Sequence, residues 1–372
     1  MKILYLSRLE NRLHTGPANS VPAQIKAQSQ LDEVFWLNLT DAWREDWSAP
    51  TFRHDFGAKY FSVRLADVEK IFARPDLIIF EGFYEFPFMK LVADLNRENI
   101  PYVIVPRSQL TEAAQKQKAL KKILGNFVYF EKFLQGAAAI HYLTEQEKTE
   151  SAKWNVKNFV IPNGITKREF FLRPSPEKIS AVYIGRINIY QKGLDLLLRA
   201  CAAVKAELEK NFFSLKIYGA NEESAKDTAE LNAMIKDFEL GNFVEILPAV
   251  FGAEKKSVLE KANLFVMSSR FEGLPMALLE ALSYSLPCLV TTGTNMADEV
   301  KKIGAGWISP VAEKFLSEAL IEMLDEFRKS FAEKSRAAHT LSTQYDWQSV
   351  AEKSHDLYKS ISDKQFRRPA DK

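Results

Sequence analysis

Ser269-Arg270-Phe271-Glu272-Gly273-Leu274-Pro275-Met276-Ala277-Leu278-Leu279-Glu280-Ala281-Leu282 lies just after the apolar run Leu264-Phe265-Val266-Met267. The order reads as a strand, a glycine-containing turn and a helix opened by Pro275. Proline is favoured at the first helical position, where its missing N–H costs nothing. The helix therefore turns free backbone N–H groups and the positive end of its dipole toward whatever occupies the turn. Such a terminus suits an anion, phosphate above all. Glu272 and Glu280 are eight residues apart, so on one continuous helix they would diverge by about 80°. They read better as one loop carboxylate and one helix carboxylate that hold different parts of one ligand.

Working outward, short apolar runs alternate with amphipathic segments along the chain, the mark of parallel α/β sheets. The first half offers strands at Ile3–Leu6, Glu33–Leu37, Leu77–Phe80, Tyr102–Val105, Ala138–Tyr142 and Phe159–Ile161. Helical patterns at Ser20–Leu31, Phe86–Glu98 and Glu145–Ala152 separate them. The second half restarts at Ala181–Ile184 and continues through Ser214–Tyr218, Val244–Leu247, Leu264–Met267, Cys288–Thr291 and Gly306–Ile308, with helices at Leu194–Leu208 and Ala225–Phe238. Two such series predict two Rossmann-like, doubly wound domains, residues 1–165 and 166–345. A closing segment, 346–372, carries a helix from Trp347 to Ser360 and a charged tail from Gln365. The turn-rich stretch from Pro162-Asn163-Gly164 to Pro174-Ser175-Pro176 marks the seam.

Composition narrows the function classes. The 372 residues are 47% hydrophobic and 26% charged, as in a globular protein. Fifty basic against 48 acidic residues leave a formal charge of +2, so there is no overall nucleic-acid footprint. Cys201 and Cys288 sit in apolar surroundings and form no metal or redox motif. The five histidines (His14, His54, His141, His339, His355) show no metal-ligand spacing. No apolar run is long enough for a membrane span and the N-terminal run is too short for a signal peptide, so a cytoplasmic location is expected.

Ligands of doubly wound sheets bind beyond the carboxyl ends of the strands. Gly185-Arg186 and Lys192-Gly193 follow the first strand of the second series and precede a long amphipathic helix. An arginine fork and a lysine point charge there suit a diphosphate, although both residue types also occur as plain surface cations. Glu272 and Glu280 admit a bland reading as surface carboxylates, as does Gly16 in Gly16-Pro17 as a turn glycine, but Gly16 would also let backbone approach a ligand closely. Without a GxGxxG fingerprint, nicotinamide and flavin binding are disfavoured. Arg107 in Pro106-Arg107-Ser108 ends the fourth strand. Lys116, Lys118, Lys121 and Lys122 precede Ile123, Leu124, Phe127, Tyr129, Phe130, Phe133 and Leu134, a pattern that suits either a solvated helix or a membrane-surface one. An anion flanked by hydroxyl-rich groups describes a nucleotide-sugar, and that is the ligand the pattern suggests.

Taken together, the GR…KG pattern at 185–193, IPNGI at 161–165, SRFEGLP…LLEAL with its E-x7-E spacing, IPYVIVP at 100–106 and AAAIHYLTEQE at 137–147 resemble family 4 glycosyltransferases of the GT-B fold, of the bacterial exopolysaccharide or capsule type. The resemblance implies two domains facing across a cleft and a metal-independent, retaining hexosyl transfer from a nucleotide-diphosphate sugar, UDP favoured over GDP. It assigns diphosphate binding and departure to Arg186 and Lys192, sugar hydroxyl contacts to Glu272 and ribose contacts to Glu280. Further donor contacts are implied at Gly16, Gly185, Gly273, Leu274 and Val250, the last through backbone of the 246–250 stretch that cradles the base. No cofactor is implied. The implied acceptor is a saccharide or a polyprenyl-diphosphate-linked saccharide at the inner membrane face, with peripheral membrane contact. Many family members have His-Gly where this chain has Arg107-Ser108, so Arg107 becomes a candidate for gripping an anionic donor or acceptor. A non-catalytic GT-B partner, a nucleotide-sugar epimerase and a two-carboxylate glycoside hydrolase are the alternatives. The last requires its carboxylates about 5–5.5 Å apart, which a loop-plus-helix placement does not favour.

Overall fold

A computed structural model of the chain describes residues 1–10, 16–40, 47, 63–70, 72–85, 88–116, 122, 124–171 and 175–363. Lys118, Lys121, Ile123, His14, His54, Pro174 and the tail from Gln365 lie outside these residues. The chain divides into two compact units, Met1–Gly164 with Trp347–Lys372, and Ile165–Asp346. The division falls just before Ile165, whose N–H donates to the Tyr345 carbonyl and whose backbone bridges to Asp346.

The first unit contains β1 (Lys2–Ser7), β2 (Glu33–Asn38), β3 (Leu77–Glu81), β4 (Tyr102–Val105), β5 (Ala139–Tyr142) and β6 (Asn158–Val160). They form a parallel sheet in the order β2-β1-β3-β4-β5-β6, with Leu6 beside Phe80 and Ser7 beside Glu81. Strands β1, β3 and β4 are nearly continuous apolar runs because both faces are covered. Leu4, Leu6, Ile78 and Phe80 pack on one side with Tyr102 and Phe133, whereas Ile3, Tyr5, Leu77 and Ile79 pack on the other. That second side meets Val21 and Ile25 of the Gly16–Gln28 helix and Tyr358 and Ile361 of the Trp347–Ser362 helix. The Gly16–Gln28 helix begins four residues before its apolar pattern does. Its interior Pro22 has no N–H to offer the Ala18 carbonyl, which instead accepts from the Trp47 indole at 2.9 Å.

The second unit contains β7 (Ile179–Ile184), β8 (Phe213–Ala220), β9 (Val244–Pro248), β10 (Leu264–Met267), β11 (Cys288–Thr291) and β12 (Gly306–Ser309), in the order β12-β11-β10-β7-β8-β9. The segment expected as one helix over 194–208 is two, Leu194–Ala203 and Lys205–Lys210, broken at Val204 (φ −120°, ψ 28°). A 31-residue helix, Glu313–Thr343, went unread in the sequence. At roughly 46 Å it serves two cores, with Leu320, Phe327 and Phe331 in one and Ala338 and Leu341 in the other. Cys201 and Cys288 are free and fully buried, and burial pushes each thiol up to about 12.

Candidate active site

In the second sheet the chain leaves β7 toward β8 and β9, then returns on the opposite flank of β7 as β10. Loops at the carboxyl ends of β7 and β10 therefore depart in opposite directions and open a crevice, the usual ligand position in such sheets. Lys192 ends the short Ile189–Lys192 helix after β7, which Asn188 caps by accepting from the Gln191 N–H at 2.8 Å. Glu272 lies in the loop after β10. The Lys192 ammonium donates to Glu272 Oε1 at 2.5 Å, and the Ser269 hydroxyl donates to the same oxygen at 2.6 Å. Gly193 must be glycine: its φ is +60°, and a Cβ would run into the Ser268 carbonyl. The missing side chain lets the two loops approach, and the Ser268 hydroxyl joins them by donating to the Lys192 carbonyl at 3.0 Å. Thr291 secures the Ser269 carbonyl at 2.6 Å, and the Asn295 amide donates to the Glu272 carbonyl.

Arg186, two residues beyond β7, is exposed, and its guanidinium donates to Gln191 Oε1 at 3.3 Å. Its carbonyl accepts from the buried Tyr183 hydroxyl at 3.1 Å. The Tyr183 phenol stands well above its usual pKa, first through burial and then through the Glu272 charge, with Arg186 opposing. Both candidate charges thus act on one ring. Glu280 lies on the Met276–Ser283 helix, with Pro275 at its cap position, one residue before the helix rather than within its first turn. Its carboxylate pairs with Lys255 of the Gly252–Lys261 helix. Gly273 is exposed and Leu274 half-buried against the core. Val250, just past β9, is buried in the same apolar cluster as Ile184 and Met267. Gly185 rests against the Tyr183 hydroxyl.

The first unit is wired differently. Arg107 was expected to reach a ligand, but its side chain is 9% exposed and turned into the fold. Its guanidinium donates to Glu81 Oε2 at 2.8 Å, to Ser20 Oγ at 3.2 Å and to Gln24 Oε1 at 3.4 Å. Arg107 and Ser108 adopt left-handed backbone (φ +49° and +67°), and the Ser108 N–H donates to the Glu147 carboxylate. Gly16 opens its helix with nothing within 4 Å of a notional Cβ. His141 is fully buried, with Nε2 donating to the Ile161 carbonyl at 2.8 Å and Nδ1 accepting from Tyr358 at 3.0 Å. Burial lowers its pKa to about 4 and keeps the ring neutral. A cavity of about 340 Å³ between Arg64, Arg74, Asp94, Arg97 and Glu98 contains none of the sequence candidates, and each of its three arginines is ion-paired with a carboxylate of the lining. Among the described residues no group of three or more His, Cys, Asp or Glu side chains could hold a metal ion.

Residues 165–338 match the family model for Glycosyl transferases group 1. Over nearly all of its length the Ile165–Asp346 unit is similar to group 1 glycosyl transferases. The matched stretch runs through Arg186, Lys192, Glu272 and Glu280. The chain is 26% identical over 208 residues to the amylovoran biosynthesis glycosyltransferase AmsD of Erwinia amylovora, covering 55% of this chain and 54% of that protein. It is 24% identical over 206 residues to the phosphatidylinositol N-acetylglucosaminyltransferase gpi3 subunit of Schizosaccharomyces pombe, covering 54% of this chain and 43% of that one. The chain spans about half the length, or less, of the curated relatives it matches. Among solved structures, Anabaena HepE in complex with UDP and glucose has a TM-score of 0.71 at 17% identity, over 97% of this chain and 100% of that one. WaaG, a glycosyltransferase involved in lipopolysaccharide biosynthesis, has a TM-score of 0.65 at 13% identity, over 95% and 99%. Both sheets thus follow the GT-B fold class. Around the loops after β7 and β10, sequence reasoning missed Asn295, Lys255 and the Arg270–Asp195 ion pair. Arg270 stands inside the stretch that decided the fold, so a cation two residues before Glu272 was the available signal. Asn295 and Lys255 carry no local sequence cue.

Proposed function

We propose that the protein is a metal-independent, retaining hexosyltransferase. It would use a nucleotide-diphosphate sugar, UDP-linked in preference to GDP-linked, and a saccharide or polyprenyl-diphosphate-linked saccharide acceptor in cell-surface polysaccharide synthesis. The observation that carries this reading is the placement of Lys192 and Glu272 on the two loops that flank the β7/β10 switch point, joined at 2.5 Å. The relative named for amylovoran biosynthesis and the HepE structures with UDP support the acceptor class and the donor class. In this scheme Arg186 and Lys192 neutralise the diphosphate as its bond to the sugar anomeric carbon breaks. Preorganised cations at a departing oxyanion are worth several kcal/mol. Glu272 orients sugar hydroxyls and Glu280 the ribose. The acceptor hydroxyl forms the new bond on the face the diphosphate leaves, and its proton passes to the departing phosphate oxygen.

No helix among the described residues is long and apolar enough to cross a membrane. The proposal places the protein in the cytoplasm, in peripheral contact with an anionic membrane face. Support comes from Phe127 (79% exposed) and Leu124 (66% exposed), which follow the basic run in sequence. Two assays test the reading. A thermal-shift panel of UDP, GDP, ADP and their sugars should select uridine ligands, and transfer to a lipid-linked saccharide should persist in EDTA. No response to any nucleoside diphosphate would indicate a non-catalytic partner. Release of an epimerised sugar without acceptor would indicate an epimerase.

A further inference from the structure

Glu272 and Lys192 belong to different loops, and their 2.5 Å contact requires those loops to stay in register. Arg270 spans the gap. Its guanidinium makes a forked pair with Asp195, Nη1 to Oδ1 and Nη2 to Oδ2 both at 2.7 Å. Nη1 also donates to the Tyr190 carbonyl at 2.8 Å, and the Arg270 backbone N–H donates to the Gln191 carbonyl at 2.8 Å. The guanidinium lies over the Tyr190 ring, 4.8 Å from its centre. Arg270, two residues from Glu272, therefore holds both residues that precede Lys192, Tyr190 through its side chain and Gln191 through its backbone N–H, and Asp195 anchors the side chain on the following helix. The pair is partly exposed, 18% for Arg270 and 24% for Asp195, and forked geometry restricts orientation as well as distance.

We propose that Arg270 and Asp195 are positioning residues that set the Lys192–Glu272 geometry for the departing diphosphate. This rests on the transferase reading above. A group that acts through Lys192 should lose its effect once Lys192 is gone, whereas a group that only stabilises the fold should not. Lysine at 270 keeps the charge but loses the fork. A misplacement on the order of 1 Å near the chemistry can cost about 10²-fold.

The test is steady-state transfer by the full chain carrying R270K, D195N, K192A or R270K with K192A, each with its thermal midpoint. The expected result is a kcat at least about tenfold lower in R270K and D195N. Donor KM and the midpoint should change little, and R270K with K192A should be no slower than K192A alone. Wild-type kcat in both R270K and D195N would overturn the inference, as would losses from R270K and K192A that multiply. If R270K alone fails to fold, D195N, which preserves shape, decides. If the unmodified chain binds UDP and turns over a UDP-sugar, those failures remove only this inference. If it does neither, the transferase reading falls and takes the inference with it.

Discussion

Arg107 and Arg186 each stand two residues beyond an inner parallel strand, β4 and β7 respectively, of which only β7 lies where its sheet's strand order reverses. Their surroundings differ completely. Arg107 is folded inward against Glu81, which ends β3, and against Ser20 and Gln24 of the helix after β1. Because β1 and β3 are the strands at which the first sheet reverses direction, the crevice expected there is occupied by the protein's own ion pair. Burial raises the Glu81 pKa and Arg107 pulls it back, and Glu81 Oε1 is buried without a partner among the described residues. At the reversal point of the second sheet, Arg186 is exposed and Lys192 shares a half-open loop pair with Glu272. Strand-end position alone does not make an arginine a ligand group. What matters is whether a neighbouring strand end supplies a buried carboxylate to take it.

Substitutions can break this contrast. Removing one partner of a buried ion pair costs about 3–5 kcal/mol, so E81A or R107A should lower the unfolding free energy of the first unit by that much. Denaturant titration checks the loss, and UDP affinity at low denaturant should be unchanged. R186A should do the reverse, lowering the transfer rate about 10²–10³-fold while its denaturation midpoint stays at the wild-type value. An R107A enzyme that is stable but inactive would erase the distinction.

A pH series sharpens it. The His141 pKa of about 4 lies below that of the unfolded chain, so unfolded protein binds the proton more readily. The neutral ring's contribution is present above about pH 6.5 and is lost as pH falls toward 4, a change on the order of 3 kcal/mol. H141F should flatten this acid limb in urea titrations from pH 7 to pH 4, whereas R186A should leave it intact. The smallest effect is expected at Lys255, whose pair with Glu280 is partly exposed. K255A should cost no more than about 1 kcal/mol in the same titration.

Much of the architecture was legible because fully buried parallel strands must be apolar end to end, and β4, β10 and β11 were read to the residue. The helix boundaries were less so. Pro22 lies inside a helix whose freed carbonyl Trp47 satisfies, a contact across 29 residues that local pattern cannot show. The Glu313–Thr343 helix was missed because its apolar residues serve two cores in turn instead of one stripe. At the candidate site, Lys192 and Glu272 announced themselves through glycine, proline and strand context. Arg107 misled because its partner Glu81 is 26 positions away and looks in sequence like the tail of an apolar strand.

The account depends most on the loops after β7 and β10 holding a nucleoside diphosphate through Arg186 and Lys192. Calorimetric titration of UDP into the full chain and into the R186A/K192A double variant measures this directly. The account predicts saturable binding by the unmodified chain and an affinity at least about 10²-fold weaker in the variant. Equal affinity in the two proteins, or no binding of UDP, GDP or ADP to either, would contradict it.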